Sequence, residues 1–213
     1  MADVKLRNGR VVTAHCPNSG SMKGCYEPGR SVYLSRSANP NRSLAYTWEM
    51  IEMPASLVGV NTSVPNRLVA RTIVDGQIEP LAGYDWLTKE VRCGPNSRID
   101  LVLEKQSGEV CFIEIKNCTL VEDHIAYFPD AVTARGFKHL VELQAQVKSG
   151  NRAVIFFLIQ RMDAVAFSPA DHIDPAYSRE LRKADRNGVE VLAYDVLLTL
   201  ESICINRPMP VCL

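Results

Sequence analysis

Two carboxylates and an amine stand within a pair of apolar runs. In SRIDLVLEKQSGEVCFIEIKN (residues 97–117), Ile99 and Leu101 flank Asp100, Ile113 and Ile115 flank Glu114, and Lys116 follows. Side chains alternate faces along a strand, so Glu114 and Lys116 share one face and Ile113 and Ile115 the other. On the preceding run Asp100 shares a face with Arg98, opposite Ile99, Leu101 and Leu103. When the two runs pair as a hairpin through Ser107-Gly108, Asp100 and Glu114 converge near its open end. A buried charge is costly unless it is paired or binds a metal. Two convergent carboxylates with the Ile115 backbone carbonyl are hard oxygen ligands suited to Mg2+ or Mn2+. Such an ion polarises a phosphoryl oxygen and acidifies bound water. A neighbouring lysine orients that water or stabilises charge developing on phosphorus. This is the chemistry of phosphodiester hydrolysis. The same residues also fit a solvated salt-bridge cluster at strand ends, worth roughly 0–1 kcal/mol. Asp3-Val4-Lys5 repeats the acid-x-Lys spacing with no acidic strand before it and reads as a decoy.

The order of elements around this stretch must position it. Residues 4–6, 11–14, 32–35, 45–52 and 56–60 read as strands. Turn chemistry separates them at Asn8-Gly9, Pro17-Asn18-Ser19-Gly20, Pro28-Gly29 and Asn39-Pro40-Asn41. Five short strands at this spacing fit an all-β, OB-like barrel. The pattern then changes. Leu68, Val69 and Ile73 recur at helical spacing over residues 65–76, with Pro65 in the first turn and Gly76 as the stop. Strands follow at 86–92, 98–103 and 110–116, then a helix over 133–149 with Leu140, Leu143 and Val147 on one face. Residues 152–160 form a strongly apolar strand, Asp174-Pro175 starts a helix ending near Gly188, and 189–194 is the last strand. The expectation is a two-domain chain: an N-terminal barrel over 1–61 and, over 62–213, a C-terminal α/β domain in the order α-β-β-β-α-β-α-β around a mixed sheet.

The chain has 213 residues and zero formal net charge, which neither requires nor excludes a nucleic-acid partner. The charge is uneven. Residues 1–60 hold seven Lys/Arg against four Asp/Glu, and residues 61–213 hold 17 against 20. Seven scattered cysteines without a CxxC pair predict free thiols and a reducing, cytoplasmic location. No apolar run approaches the ~18 residues of a membrane span, so no membrane partner is expected. A monomer and a homo-oligomer both stay open.

Other polar groups are candidates for nucleic-acid contact. In His15–Met22 the amides with Asn18 and Ser19 can form a phosphate nest facing the interdomain cleft, or a plain barrel turn. His15, Cys16 and Cys25 lack zinc-knuckle spacing. Thr133, Arg135, Lys138 and His139 open a helix and suit phosphate binding, although Lys138 and Glu142 also fit an i,i+4 pair. Arg98 either contacts substrate or neutralises Glu114 across the hairpin. Arg30, Arg36 and Arg42 with Tyr33 and Tyr46 fit a basic, aromatic track or ordinary surface charge.

SRIDLVL and CFIEIKNCTL together resemble the PD-(D/E)xK nuclease-like superfamily. The whole chain resembles the sugar fermentation stimulation protein A family of bacteria and archaea. The resemblance is carried in order by AHCPNSGSMKGC (14–25), YTWEM (46–50), NTSVPNRLV (61–69), GPNSRIDLVL (94–103), IEIKNCTL (113–120), YFPDAVTARGFKHLVEL (127–143), RAVIFFLIQ (152–160) and FSPADHIDPAY (167–177). It implies an OB-like first domain and a PD-(D/E)xK nuclease-like second domain. It implies DNA binding with little sequence preference, and a regulatory link to sugar, particularly maltose, metabolism. By position it makes Asp100 and Glu114 metal ligands and Lys116 the catalytic lysine, with Mg2+ or Mn2+ as cofactor. A nuclease-like fold also serves as a non-catalytic DNA-binding regulator, or as a small-molecule or protein-interaction module using the interdomain cleft. Two departures stand out. Relatives carry a basic, aromatic-containing lead into Ala2-Asp3-Val4, so an upstream start or a shortened chain is expected here. Relatives also carry a glutamate in the helix after N-T-x-x-x-N, where this chain has Ala70-Arg71, which weakens a second metal contact unless Glu79 or Glu90 replaces it.

Overall fold

The computed structural model describes residues 1–93 and 97–213; the first three residues of GPNSRIDLVL lie outside them. The first sixty residues form β1 (Ala2–Lys5), β2 (Val11–His15), β3 (Val32–Arg36), β4 (Tyr46–Glu52) and β5 (Leu57–Gly59). Gly9, at φ 86, closes the β1–β2 hairpin through its N–H to the Leu6 carbonyl. The strand order is β1-β2-β4-β3, with β5 on β4. Trp48, Ile51, Val58, Val60 and Cys25 form the small core. Among the described strands β1 and β3 do not pair, so the expected barrel is an open, OB-like sheet rather than a closed cylinder. A register shift at Tyr33/Leu34 bends β3, and a groove of about 1120 Å³ runs along the open side.

The remainder continues with α1 (Val64–Val74), a 3-10 turn (Glu79–Leu81), β6 (Trp86–Arg92), β7 (Arg98–Glu104) and β8 (Val110–Cys118). It is completed by β9 (Leu120–Glu122), β10 (Ile125–Phe128), α2 (Ala134–Lys148), β11 (Arg152–Ile159), β12 (Ala166–Pro169), α3 (Pro175–Arg186), β13 (Glu190–Leu198) and β14 (Ile203–Pro208). A six-stranded mixed sheet has the order β14-β13-β11-β8-β7-β6. β11 runs parallel to both neighbours. Its near-continuous apolar sequence is what a strand covered on both faces requires. Ile155, Phe157 and Ile159 meet Leu140 and Leu143 of α2 and Tyr177 and Leu181 of α3. Val154, Phe156 and Leu158 pack with Val69, Ala70 and Ile73 of α1. Each fully buried Phe or Leu in these layers contributes about 1.5–3 kcal/mol.

Both long helices start on side-chain caps. Thr133 Oγ1 accepts from Gly136 N at 3.0 Å. Asp174 Oδ1 accepts from Tyr177 N, and its Oδ2 accepts from Thr133 N, both at 2.9 Å. One carboxylate thus caps α3 and ties it to the start of α2. A Cβ on Gly136 would collide first with the Thr133 side chain that caps α2, at 2.7 Å, and then press on the Tyr177 ring of α3 at 3.1 Å.

Three differences from the expected order are physical. The three-stranded sheet β12-β10-β9 was not expected, because strands of three or four residues are too short for period-2 alternation to register. The last expected strand, 189–194, extends to Leu198 and is followed by β14. β14 is an exposed edge with only Ile203 and Ile205 packed inward. The expected β1 at 4–6 is Ala2–Lys5, set by its register with β2.

The two halves are joined through polar groups. Arg161 donates Nη1 to the carbonyls of Gly24 and Thr119 at 3.1 and 2.9 Å, and its other nitrogens to Asp163 at 2.6 Å. Gln160 donates to Asn61 and Asn117. A Cβ on Gly24 would collide with the Thr119 carbonyl oxygen, so only glycine permits this seam.

Candidate active site

Asp100 sits where β7 and β8 part. Their pairing runs from Glu104↔Val110 to Leu101↔Ile113 and stops. Beyond that point the Ile115 N–H donates to Asp100 Oδ2 at 2.7 Å. A residue in an extended strand points its N–H and C=O to the same edge, so the Ile115 carbonyl faces the same fork. The other Asp100 oxygen accepts from Asn66 Nδ2 at 2.8 Å. Asn66 is placed by the first turn of α1, where Pro65 suits the helix start.

The alternation expected along β7 breaks at this residue. Leu101 and Leu103 pack in the α1 layer, whereas Ile99 packs in the α2 layer. On the facing strand Leu87 and Val91 divide between the same two layers, and Glu90 stands between them at φ 55. A non-glycine residue in that region is strained. The swap of faces coincides with it, so Asp100 and Arg98 do not simply share one flat face.

Glu114 is 2% exposed in the middle of β8. Its Oε1 accepts from Lys116 Nζ at 2.6 Å and is hydrogen-bonded to His139 Nδ1 from α2. Arg135 Nε donates to His139 Nε2 at a long 3.5 Å, which leaves the imidazole proton on Nδ1, directed at Glu114. Burial pushes the Glu114 carboxyl up, and the His139 hydrogen bond and the Lys116 charge outweigh it, holding its pKa below the usual value. Asp100 goes the other way. Burial first, then the Glu114 charge, raise it to about 6, against the Ile115 N–H, Lys116 and Asn66. The two carboxyls are therefore driven apart, one ionised and one resisting ionisation.

Glu114 Oε2 is buried and has no hydrogen-bond partner among the described residues. An unpartnered buried carboxylate oxygen is costly, and a cation is one group that could satisfy it. Among the described residues no three His, Cys, Asp or Glu side chains cluster to hold a metal. The candidate donors are Asp100, Glu114 Oε2 and the Ile115 carbonyl, a set that would leave coordination positions for water or phosphate. That fits a hard divalent ion such as Mg2+, Mn2+ or Ca2+ and not a structural zinc. Neither Glu79 nor Glu90 completes a third acidic position. His15, Cys16 and Cys25 form no metal cluster, and all seven cysteines are free thiols.

The structure separates the other expected contacts. The counter-charge of Glu114 is Lys116, with the His139 imidazole as its second partner, and Arg98 makes no ion pair with it. His139 turns inward, 4% exposed, and is part of the carboxylate network rather than of an open surface. Lys138 lies 3.6 Å from Glu142. Arg98, Lys138 and His139 nonetheless line one cavity beside the hairpin, together with Arg92 and Arg135. The loop bearing Asn18 and Ser19 grips an anion of the chain itself. Met22 N donates to Asp130 Oδ2 at 3.1 Å and Ser21 Oγ to the Asp130 carbonyl at 2.7 Å. Asn18 Oδ1 accepts from Gly20 N at 2.9 Å in a local turn. Asp130 takes up the Ser21 and Met22 donors of that loop at the seam between the two halves, and Ser19 stays exposed. Arg36 ends β3 on the surface of the first domain. Arg30 pairs with Glu27 at 3.0 Å, and Tyr33 donates to Glu52 at 3.1 Å.

Comparison with known proteins agrees with this architecture. Residues 63–202 match the family model described as "Sugar fermentation stimulation protein RE domain", and residues 1–60 match "SfsA N-terminal OB domain". A sugar fermentation stimulation protein homolog of Geobacter sulfurreducens is 54% identical over 211 residues, spanning 99% of this chain and 90% of the relative. The homolog of Geobacter metallireducens is 55% identical over 214 aligned residues, spanning 100% and 92%. Among solved structures, SfsA of Pyrococcus furiosus in complex with Ca2+ superposes with a TM-score of 0.88 at 26% identity, covering 97% of this chain and 88% of that one. The expected pairing of an OB-like domain with a nuclease-like α/β domain is borne out.

Proposed function

The chain belongs to the sugar fermentation stimulation protein family, and from that premise we propose that it is a nucleic-acid-binding protein whose Asp100–Glu114–Lys116 group hydrolyses phosphodiesters with a divalent metal. The observation that carries this reading is the buried, unpartnered Glu114 Oε2 in a hairpin whose other acid, Asp100, stands at the strand fork. The calcium bound by the Pyrococcus furiosus relative supports a site for a hard divalent cation. Asp100, Glu114 Oε2 and the Ile115 carbonyl would hold the ion. When bound it polarises a phosphoryl oxygen and lowers the pKa of water.

The chain's own groups do the rest. Asn66 and the Ile115 N–H fix the Asp100 carboxylate, and His139 fixes Glu114. Lys116, held at 2.6 Å from Glu114, places an ammonium where charge develops on phosphorus. In the reaction the water oxygen bonds to phosphorus and gives up a proton, the bond to one ester oxygen breaks, and the leaving alkoxide takes up a proton. The products are a phosphate monoester and a hydroxyl.

A second reading has its own support. Lys116 already neutralises Glu114 and His139 hydrogen-bonds it, which suits a DNA-binding regulator that does not cut, linked to sugar metabolism. Incubation with Mg2+ or Mn2+ at low salt, on single- and double-stranded DNA and RNA, separates the two. Cleavage by wild type that is lost in EDTA and in Asp100→Ala supports hydrolysis. Salt-sensitive binding without cleavage, equal in wild type and variant, supports the regulator.

A further inference from the structure

One end of the β6–β7 pair carries charge that folding alone does not call for. Arg92 and Arg98 are direct cross-strand partners, and like charges placed opposite each other destabilise an antiparallel pair. Among the described residues neither makes an ion pair with a carboxylate, and neither does Arg135. These three arginines and Lys138 line an open cavity of about 560 Å³; Glu90 is the one acid among its described lining residues, and Glu142 stands behind it, bonded to Ser97 and 3.6 Å from Lys138. His139 also lines it, and the same imidazole touches Glu114 and Lys116. The cavity therefore adjoins the carboxylate pair. The strained backbone of Glu90 lies in its wall.

We infer that this cavity receives a phosphate monoester, the terminal phosphate of a nucleic-acid strand, next to the carboxylate site. The inference rests on the phosphodiesterase reading of that site and names its substrate class. Guanidinium forks match phosphate oxygens two at a time. An internal diester offers only two unbridged oxygens and a single charge. A monoester offers three oxygens and a charge of about −2, which suits three arginines and a lysine. With the strand end held here, a diester close to that end lies at Asp100 and Glu114. The site then trims strands from a phosphorylated end instead of cutting at random within them.

The test is binding without cleavage. The full chain is titrated in EDTA, at one low salt concentration, against three single-stranded oligonucleotides. They share one sequence and carry a 5′-phosphate, a 3′-phosphate or neither, and fluorescence anisotropy reports binding. One phosphorylated end is expected to bind about tenfold tighter than the unmodified strand. That preference is expected to vanish in Arg92→Ala and Arg98→Ala, and to survive Arg10→Ala, an exposed change between β1 and β2 of the other domain. Arg98→Ala is expected to unfold at no lower temperature than wild type, since it relieves a like-charge pair; should it unfold, Arg92→Gln carries the same test. Inorganic phosphate and a nucleoside monophosphate, added as competitors, distinguish a strand end from a free ligand. Equal binding of all three oligonucleotides, or a preference that survives both arginine changes, overturns the inference. So does a mononucleotide that competes as well as the phosphorylated strand. Because no metal is present, failure of this test leaves the cleavage reading standing, and absence of cleavage leaves this test standing.

Discussion

In the absence of metal, Asp100→Asn stabilises the protein at neutral pH. Burial and the Glu114 charge hold the folded carboxyl at about 6, against an ordinary value of 3.8. An unfolded Asp100 ionises near the ordinary value, so between about pH 4 and pH 6 the folded chain keeps a proton that the unfolded chain has lost. The contribution of this group to stability is therefore full in acid and is lost as pH rises through about 6. At about 1.4 kcal/mol per pH unit, the interval from 3.8 to about 6 amounts to about 3 kcal/mol at pH 7.5. Asparagine keeps the local bonds. Its carbonyl accepts from the Ile115 N–H, and the Asn66 amide, turned over, offers its oxygen to the new NH2 group. Glu114 works in the opposite sense: its lowered pKa stabilises the fold above the usual carboxylate range and is lost in acid, in both proteins alike. Urea unfolding in EDTA across pH reads the difference. The variant is expected to exceed wild type by about 2–3 kcal/mol at pH 7.5, with the gap closing toward about pH 4. Saturating Mn2+ stabilises wild type and not the variant. A variant less stable than wild type at pH 7.5 in EDTA, or a gap that ignores pH, refutes the reasoning.

Lys116→Met leaves Mn2+ affinity in place and lowers the cleavage rate by about a hundredfold or more, checked by single-turnover kinetics beside a metal titration. His139→Ala frees Glu114 from its orienting partner and weakens metal binding by about tenfold to a hundredfold, measured by calorimetry. Arg161→Met strands the half-buried Asp163 and leaves the Gly24 and Thr119 carbonyls without their donor. The expected loss is about 3–5 kcal/mol in urea unfolding.

Much of the candidate site is written in local pattern. The apolar run of β11 reads as a doubly covered strand, and it is one. Glu114 and Lys116 follow the period of two, and the β7–β8 hairpin sets Asp100 within reach of the Glu114 charge. The partners that tune these acids are not local. His139 lies 25 residues beyond Glu114 and Asn66 lies 34 before Asp100. Only the packing of two helices against opposite faces of the sheet brings them in. The helical period alone does not tell whether His139 or Lys138 turns inward. The Asn18-Ser19 loop carries the composition of an anion nest, and its anion, Asp130, is 108 residues away from Met22. The switch of faces at Asp100 coincides with a positive backbone φ at Glu90, which no periodicity encodes.

Anomalous diffraction from crystals soaked in Mn2+ tests the metal site most directly. A manganese peak is expected about 2.0–2.6 Å from an Asp100 carboxylate oxygen, Glu114 Oε2 and the Ile115 carbonyl. A fork without manganese at saturating concentration, with Glu114 Oε2 still unliganded, contradicts that site.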